Sequence, residues 1–271
     1  MESTFRASDG CSIAYTLHTA DSPNCVALIH SLALDRTIWD GVVTEIQGKA
    51  NVLAYDCRGH GRSSHVTGPY TMEQFARDLA QLMDHIGWPS AVVAGCSMGG
   101  GVAQAFGGLF PDRAVGLGLI DTTAWYGPEA PTQWRQRAAA ATANGLGGMV
   151  EFQTTRWFGD AFRASRKDLV ERATNVFLGN DLHCYASTCE MLGDADLRPY
   201  LAGFRMPVAV IVGEEDYATP VAAARQMHES IAGSTLTILP GRHLTPIECP
   251  EKVASELVTL FERATVRKAA N

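Results

Sequence analysis

Short apolar runs punctuate the chain at Cys25 to His30, Val52 to Tyr55, Ala91 to Ala94, Val115 to Ile120, Val208 to Val212 and Thr235 to Leu239. They are continuous rather than alternating, which suits strands of a parallel sheet covered by helices on both faces. Longer stretches with helical spacing lie between them, so the pattern predicts an α/β fold with a mostly parallel central sheet. The clearest helix is Met72 to Ile86, where Met72, Phe75, Ala76, Leu79, Leu82, Met83 and Ile86 share one face. Thr71 and Gln74 form a capping box at its start, and Gly87 with Pro89 stops it. A last helix runs from Pro250 to about Arg263.

From Ala124 to Tyr200 the rhythm breaks. No core strand is visible there, only helical patterns carrying Trp125, Tyr126, Trp134, Trp157, Phe158 and Tyr185. A strand–helix pattern resumes at Val208. The expected organisation is therefore a sheet-based core of residues 1–123 and 201–271, with 124–200 a helical insertion lying over the sheet.

The chain's 271 residues, 46% of them hydrophobic and 19% charged, suit one such domain with a large core. A net charge of -7 argues against nucleic acid as a partner, since counterion release needs clustered Lys and Arg. Seven scattered cysteines without a Cys-x-x-Cys pair fit free thiols in a reducing compartment. No signal-peptide pattern or bilayer-length apolar run is present, so the expectation is a soluble, cytoplasmic protein without a membrane partner. No His and carboxylate cluster has metal-ligand spacing, and no Gly-rich loop ends in Lys to hold a nucleotide phosphate.

The chemistry concentrates at Gly95-Cys96-Ser97-Met98-Gly99, directly after an apolar strand and directly before a helix. A strained turn there exposes the central hydroxyl at the carboxyl end of the strand, and small neighbours let strand and helix approach. Ser97 is the candidate nucleophile; Cys96 is off-centre and reads as a small buried filler. A serine needs a base, and the base an orienting acid. Of eight histidines, His243 follows the last strand and precedes the last helix, which puts it at the same sheet edge. His85 and His228 read as solvated, and His60 sits in a tight structural loop. Asp216, just past the strand at Val208, leads as the acid. Asp121, at the end of the strand before it, is the rival. Glu214 and Glu215 read as turn or surface residues. The oxyanion donors expected are the backbone N–H of Met98 and that of Leu32, in the loop after His30.

These residues resemble those of the α/β-hydrolase superfamily along essentially the whole chain, and most of all those of 3-oxoadipate enol-lactonases. The resemblance is carried by Ser31-Leu32 through Asp35 and Trp39, by Gly68 through Gln74, and by three stretches of the insertion. Those three are Arg156-Trp157-Phe158, Phe162-Arg163-Ala164 and Asp194 through Arg198. It implies a helical cap, hydrolysis through Ser97, Asp216 and His243, and no cofactor. The chain departs from those lactonases at His30-Ser31-Leu32-Ala33, where they usually carry Asn-Ser-Leu-Gly. It departs again at Cys96, commonly Leu, and over Leu244 to Pro250, which look more like general esterases.

The leading expectation is a serine hydrolase of a small-molecule lactone or carboxylic ester, of the kind used in aromatic catabolism. A carboxylate on the substrate calls for a cation in the cap, with Arg135, Arg156 and Arg163 as candidates. Ser31, Trp125, Trp134, Trp157 and His183 are further candidate substrate contacts. The competing readings are a carbon–carbon hydrolase of a dienoic ring-cleavage product, a general carboxylesterase, and a small-molecule receptor on a hydrolase fold.

Overall fold

The computed structural model describes residues 2–66 and 68–270, the last four of these by backbone alone. Met1, Thr67 and Asn271, which fall within the expected core, lie outside the described residues. Each apolar run read from the sequence is a strand: β3 (Cys25–Ile29), β4 (Asn51–Tyr55), β5 (Ala91–Cys96), β6 (Ala114–Ile120), β7 (Val208–Gly213) and β8 (Thr235–Leu239). Two further strands precede them, β1 (Glu2–Arg6) and β2 (Ser12–His18). Together they form an eight-stranded sheet in the order β1-β2-β4-β3-β5-β6-β7-β8. The pairs β1–β2 and β2–β4 are antiparallel and the rest are parallel. The central strands are buried on both faces, which is why they lack alternation, whereas β1 alternates between exposed and half-buried positions.

Helices α1 (Asp40–Ile46), α2 (Met72–His85) and α3 (Met98–Leu109) follow β3, β4 and β5. The Thr71 hydroxyl accepts the Gln74 N–H at 3.1 Å, and Gly87 takes φ +76° just beyond the end of α2. The chain between β6 and β7 is mainly helical: α4 (Ala130–Asn144), α5 (Val150–Trp157), α6 (Asp160–Ser165), α7 (Lys167–Leu178), α8 (Leu182–Asp194) and α9 (Arg198–Leu201). The elements α10 (Val221–Ser230), α11 (Thr245–Glu248) and α12 (Pro250–Ala270) complete the chain, the last running beyond the expected Arg263. Within the helical segment α4 packs extensively on α8, so the segment has its own apolar centre.

The helical segment is tied to the strand ends by backbone hydrogen bonds. The Trp157 carbonyl, at the end of α5, accepts the N–H groups of both His243 and Leu244 at 3.1 Å. Asn180 Nδ2, between α7 and α8, donates to the Ala33 carbonyl at 2.8 Å. These contacts fix the loops after β3 and β8, which carry Ser31, Leu32 and His243 of the recess over Ser97.

Candidate active site

Ser97 stands between β5 and α3 with φ +56° and ψ −114°, a strained conformation for any side chain. Its neighbours show why glycine is needed. A Cβ on Gly95 would lie 2.0 Å from the Gly99 carbonyl oxygen, and one on Gly99 would lie 2.2 Å from that of Ile29. The turn is held by Ser97 N–H to the Ile120 carbonyl at 2.9 Å and by the Thr122 hydroxyl to the Ser97 carbonyl at 2.7 Å. Such anchoring is how a fold sustains strain at one residue.

His243 lies in the loop between β8 and α11. The Ser97 hydroxyl donates to His243 Nε2 at 2.9 Å, and His243 Nδ1–H donates to Asp216 Oδ2 at 2.8 Å. Asp216 Oδ1 accepts the N–H groups of Ala218 and Thr219 at 2.7 and 2.9 Å, while Oδ2 also accepts the Thr219 hydroxyl at 2.8 Å. Burial raises the Asp216 carboxyl, but attraction to His243 and the donated hydrogen bonds outweigh it and hold the group below its ordinary value.

Asp121, the rival acid, occupies the end of β6 and faces elsewhere. Its Oδ1 accepts Gly213 N–H at 3.0 Å, and its Oδ2 accepts the Thr245 N–H at 2.9 Å and hydroxyl at 2.7 Å. It has no hydrogen bond to His243. Burial, with the nearby charge of Asp216 second, pushes its carboxyl well above the usual range. Cys96 is fully buried and its thiol is likewise pushed up, by burial first and then by Asp121 and Asp216, so it stays protonated.

Met98 opens α3, so its N–H has no carbonyl partner four residues back and is free to point toward Ser97. Ser31 and Leu32 line the recess over Ser97, and Ala33 beside them takes φ +58°. The buried His30 imidazole braces this loop. Its Nε2 accepts Cys57 N–H at 2.9 Å, which leaves Nδ1–H to donate to the Ser31 carbonyl at 2.7 Å. His60 packs against it with ring centroids 5.1 Å apart, and burial drives its pKa down to about 3, so it stays neutral.

The recess over Ser97 shares Tyr126, Trp134, Arg137 and Arg156 with a cavity of ≈ 550 Å³ among α4, α5 and the loop after β7. Trp134, Arg156 and Trp157 thus fall where the sequence suggested, beside Ser31 and Leu32. Trp125, Arg135 and His183 do not. Trp125 forms an antiparallel bridge with Asp196 and stacks under the Arg198 guanidinium, 3.7 Å from the ring centroid. Arg135 points to solvent and pairs with Asp194 at 3.5 Å, and His183 is exposed on α8. Arg163 pairs with Asp160 at 2.9 Å on the surface. His85 is exposed as expected, but His228 is half-buried with its ring 2.7 Å from the Ser234 hydroxyl.

Two residues not among the candidate substrate contacts from the sequence also line the cavity, Arg137 and Tyr126. Arg137 lies three residues after Trp134 and therefore on the same helix face, with its guanidinium 4.8 Å from the Trp134 ring centroid. It donates to Tyr185 Oη and Gln153 Oε1, both at 2.9 Å. Arg156 contacts Phe152 and Tyr217 through their ring faces. Among the described residues neither arginine has a carboxylate within ion-pair distance. Burial, and after it the charge of Arg137, lower the Arg156 pKa.

A serine raised on a strand–turn–helix elbow of a mostly parallel sheet, with a histidine delivered after the last strand, defines the α/β-hydrolase class. The alpha/beta hydrolase family model matches residues 26–256, and the chain belongs to that family. It is 34% identical over 260 residues to 3-oxoadipate enol-lactonase 2 of Acinetobacter baylyi, covering 96% of both chains. The fold matches a hydrolase from Pseudomonas aeruginosa with a TM-score of 0.91 at 32% identity, covering 96% of this chain and 98% of that one. It matches the enol-lactonase from Burkholderia xenovorans with a TM-score of 0.89 at 31% identity, covering 94% and 98%. The protein is an ester or lactone hydrolase. No helix among the described residues is long and apolar enough to cross a membrane.

Proposed function

We propose that the protein is a serine hydrolase that opens a lactone bearing a carboxylate, an enol-lactone of the 3-oxoadipate type, with residues 124–200 acting as its cap. The observation that carries this reading is the pair Arg137 and Arg156. Two guanidinium groups without a carboxylate partner line the cavity that meets the recess over Ser97. Holding two like charges together in a half-buried site is unfavourable unless an anion completes it. A substrate carboxylate does so, and Arg is suited to bind it through two parallel hydrogen bonds. The likeness to enol-lactonases supports the same substrate class.

In the proposed mechanism, His243 Nε2 takes the Ser97 proton and Oγ attacks the lactone carbonyl carbon. The carbonyl electron pair moves onto oxygen, where the N–H groups of Met98 and Leu32 hold the oxyanion. Asp216 fixes the imidazole tautomer that leaves Nε2 free to accept, and stabilises the imidazolium that forms. Collapse re-forms the carbonyl and expels the ring oxygen, which takes the proton from His243. Water, activated by the same histidine, then releases the acyl group from Ser97.

The test is a panel of a carboxylate-bearing enol-lactone, neutral p-nitrophenyl esters and a coloured dienoic ring-cleavage product. The lactone should give the highest kcat/KM, and Ser97→Ala should remove turnover. Arg156→Met should raise KM for the lactone by about 10- to 100-fold, the worth of a hydrogen bond to a charged group. Neutral esters should be little affected. Faster bleaching of the ring-cleavage product would assign the site to carbon–carbon hydrolysis instead. Failure of a fluorophosphonate to label Ser97 would point to a receptor.

A further inference from the structure

The hydroxyl of Tyr126 has no role in the mechanism above, yet the side chain that carries it borders the recess over Ser97. Tyr126 lines the recess that holds Ser97 and His243, a second and more apolar recess that also includes Ser97, and the arginine-bearing cavity. Ser97 and Tyr126 thus border the same two recesses. The ring is held edge-on against Trp134, with centroids 5.3 Å apart, so it is wedged rather than swinging. Ser97, Arg137 and Arg156 line the same recess as the Tyr126 side chain.

We propose that Tyr126 is a catalytic residue whose hydroxyl donates a hydrogen bond to the leaving-group oxygen as the acyl carbon–oxygen bond breaks. The proposal rests on the Ser97–His243 mechanism. In the resting site the Ser97 proton is directed to His243 Nε2, and the Tyr126 side chain lines the recess that holds both groups. Attack turns the Ser97 oxygen into an ester oxygen, a much poorer acceptor for a phenol than an oxygen gaining negative charge. The strongest acceptor then developing in the His243 compartment is the leaving oxygen.

The electron pair of the breaking bond goes to that oxygen, which takes its proton from the His243 imidazolium. Tyr126 keeps its own proton throughout. Burial pushes the phenol up to about 12, against the opposing pull of Arg156 and Arg137, so it is a neutral donor across the working pH range. A donor placed where charge develops helps most when the charge is largest, and so its effect grows with the basicity of the leaving group.

The experiment compares Tyr126→Phe with the wild type on two acetate esters, one of p-nitrophenol and one of an unactivated primary alcohol. The readout is kcat/KM, which reports acylation in both cases. The variant should lose about 50-fold or more on the alkyl ester but only about fivefold on the p-nitrophenyl ester, following the leaving-group dependence of acid catalysis. Equal losses on both would mean that Tyr126 only shapes the pocket. A loss smaller than threefold on the alkyl ester would also overturn the proposal. Failure of the mechanism itself would show separately, as Ser97→Ala retaining activity on either ester.

Discussion

Asp121 ends β6, and Asp216 follows the neighbouring β7; their carboxyls are buried, with residue exposures of 0% and 4%. Both accept backbone N–H groups and a threonine hydroxyl. The difference lies in the remaining partner. Asp216 adds a histidine ring that can change protonation, whereas the Asp121 donors belong to the scaffold, at Gly213 and Thr245. Asp121 thereby ties the end of β7 to the start of α11, one residue beyond the loop that carries His243. Two acids on adjacent strand ends thus divide the work. One faces the His243 ring, and the other fastens the two loops that bring His243 and Asp216 together. Position at a strand end does not decide the role; the set of donors does.

The sharpest way to break this comparison is to replace each acid by its amide. In Asp216→Asn the amide oxygen must stay where Ala218 and Thr219 N–H converge, which turns the NH2 toward His243 Nδ1. The ring must then accept at Nδ1 and carry its proton on Nε2, where it no longer accepts from Ser97. A loss in kcat of about 10³- to 10⁴-fold is expected, the scale seen when a triad histidine is held in the wrong tautomer. The fold should survive, with a melting temperature within a few degrees of wild type. Steady-state kinetics and a thermal melt check both halves, and a loss under tenfold would return Asp216 to the scaffold.

Asp121→Asn should invert that outcome. An amide oxygen can take the Gly213 N–H or the Thr245 N–H, but its NH2 then opposes the other. One buried N–H loses its acceptor, which costs about 1–3 kcal/mol, with activity retained within about tenfold. The pH dependence carries a sign. Asp121 has a raised pKa when folded, so its contribution is complete below the ordinary carboxylate range and is lost as pH rises through the raised value. Asn cannot ionise, and the stability gap between wild type and variant should therefore narrow from pH 5 to pH 8. Asp216, lowered when folded, has the opposite sense: its contribution is present above the ordinary range and fades as pH falls through the folded value. Urea unfolding at the two pH values decides the matter, and a gap that widens with pH would contradict the assignment.

The same contrast explains what was legible in the sequence. Buried strands and the elbow could be read because their constraints are local: apolar runs for two-sided burial, and small residues where backbones touch. The hairpin of β1 and β2 leaves a weaker signal, because β1 alternates between exposed and half-buried positions and the buried run of β2 is only Ile13 to Tyr15. In the helical segment Trp134, Arg156 and Trp157 lie beside the recess over Ser97, but two other expectations are out of phase. Trp125 is the contact the sequence suggests, yet it is its neighbour Tyr126 that lines the recess over Ser97, since successive residues of an extended segment face opposite ways. Arg135 was named and Arg137 lines the cavity, because helical spacing from Trp134 selects the third residue on and rejects the next. Which side faces the sheet depends on how α4 and α8 pack, and no single segment encodes that.

Thr219→Val tests the comparison at its finest scale. The Thr219 hydroxyl donates to the same Asp216 oxygen that accepts from His243, and the residue is 1% exposed. Valine keeps the shape and removes the donor, so stability should fall by about 0.5–1.5 kcal/mol, the net worth of one hydrogen bond. The hydroxyl is one of the groups that lower Asp216, and its loss leaves a more basic carboxylate. The acid limb of the kcat profile should shift to higher pH, while kcat on its plateau falls less than tenfold. An unmoved limb, or one shifted to lower pH, would mean that Thr219 serves only the loop after β7 and that Asp216 is set by its backbone donors alone.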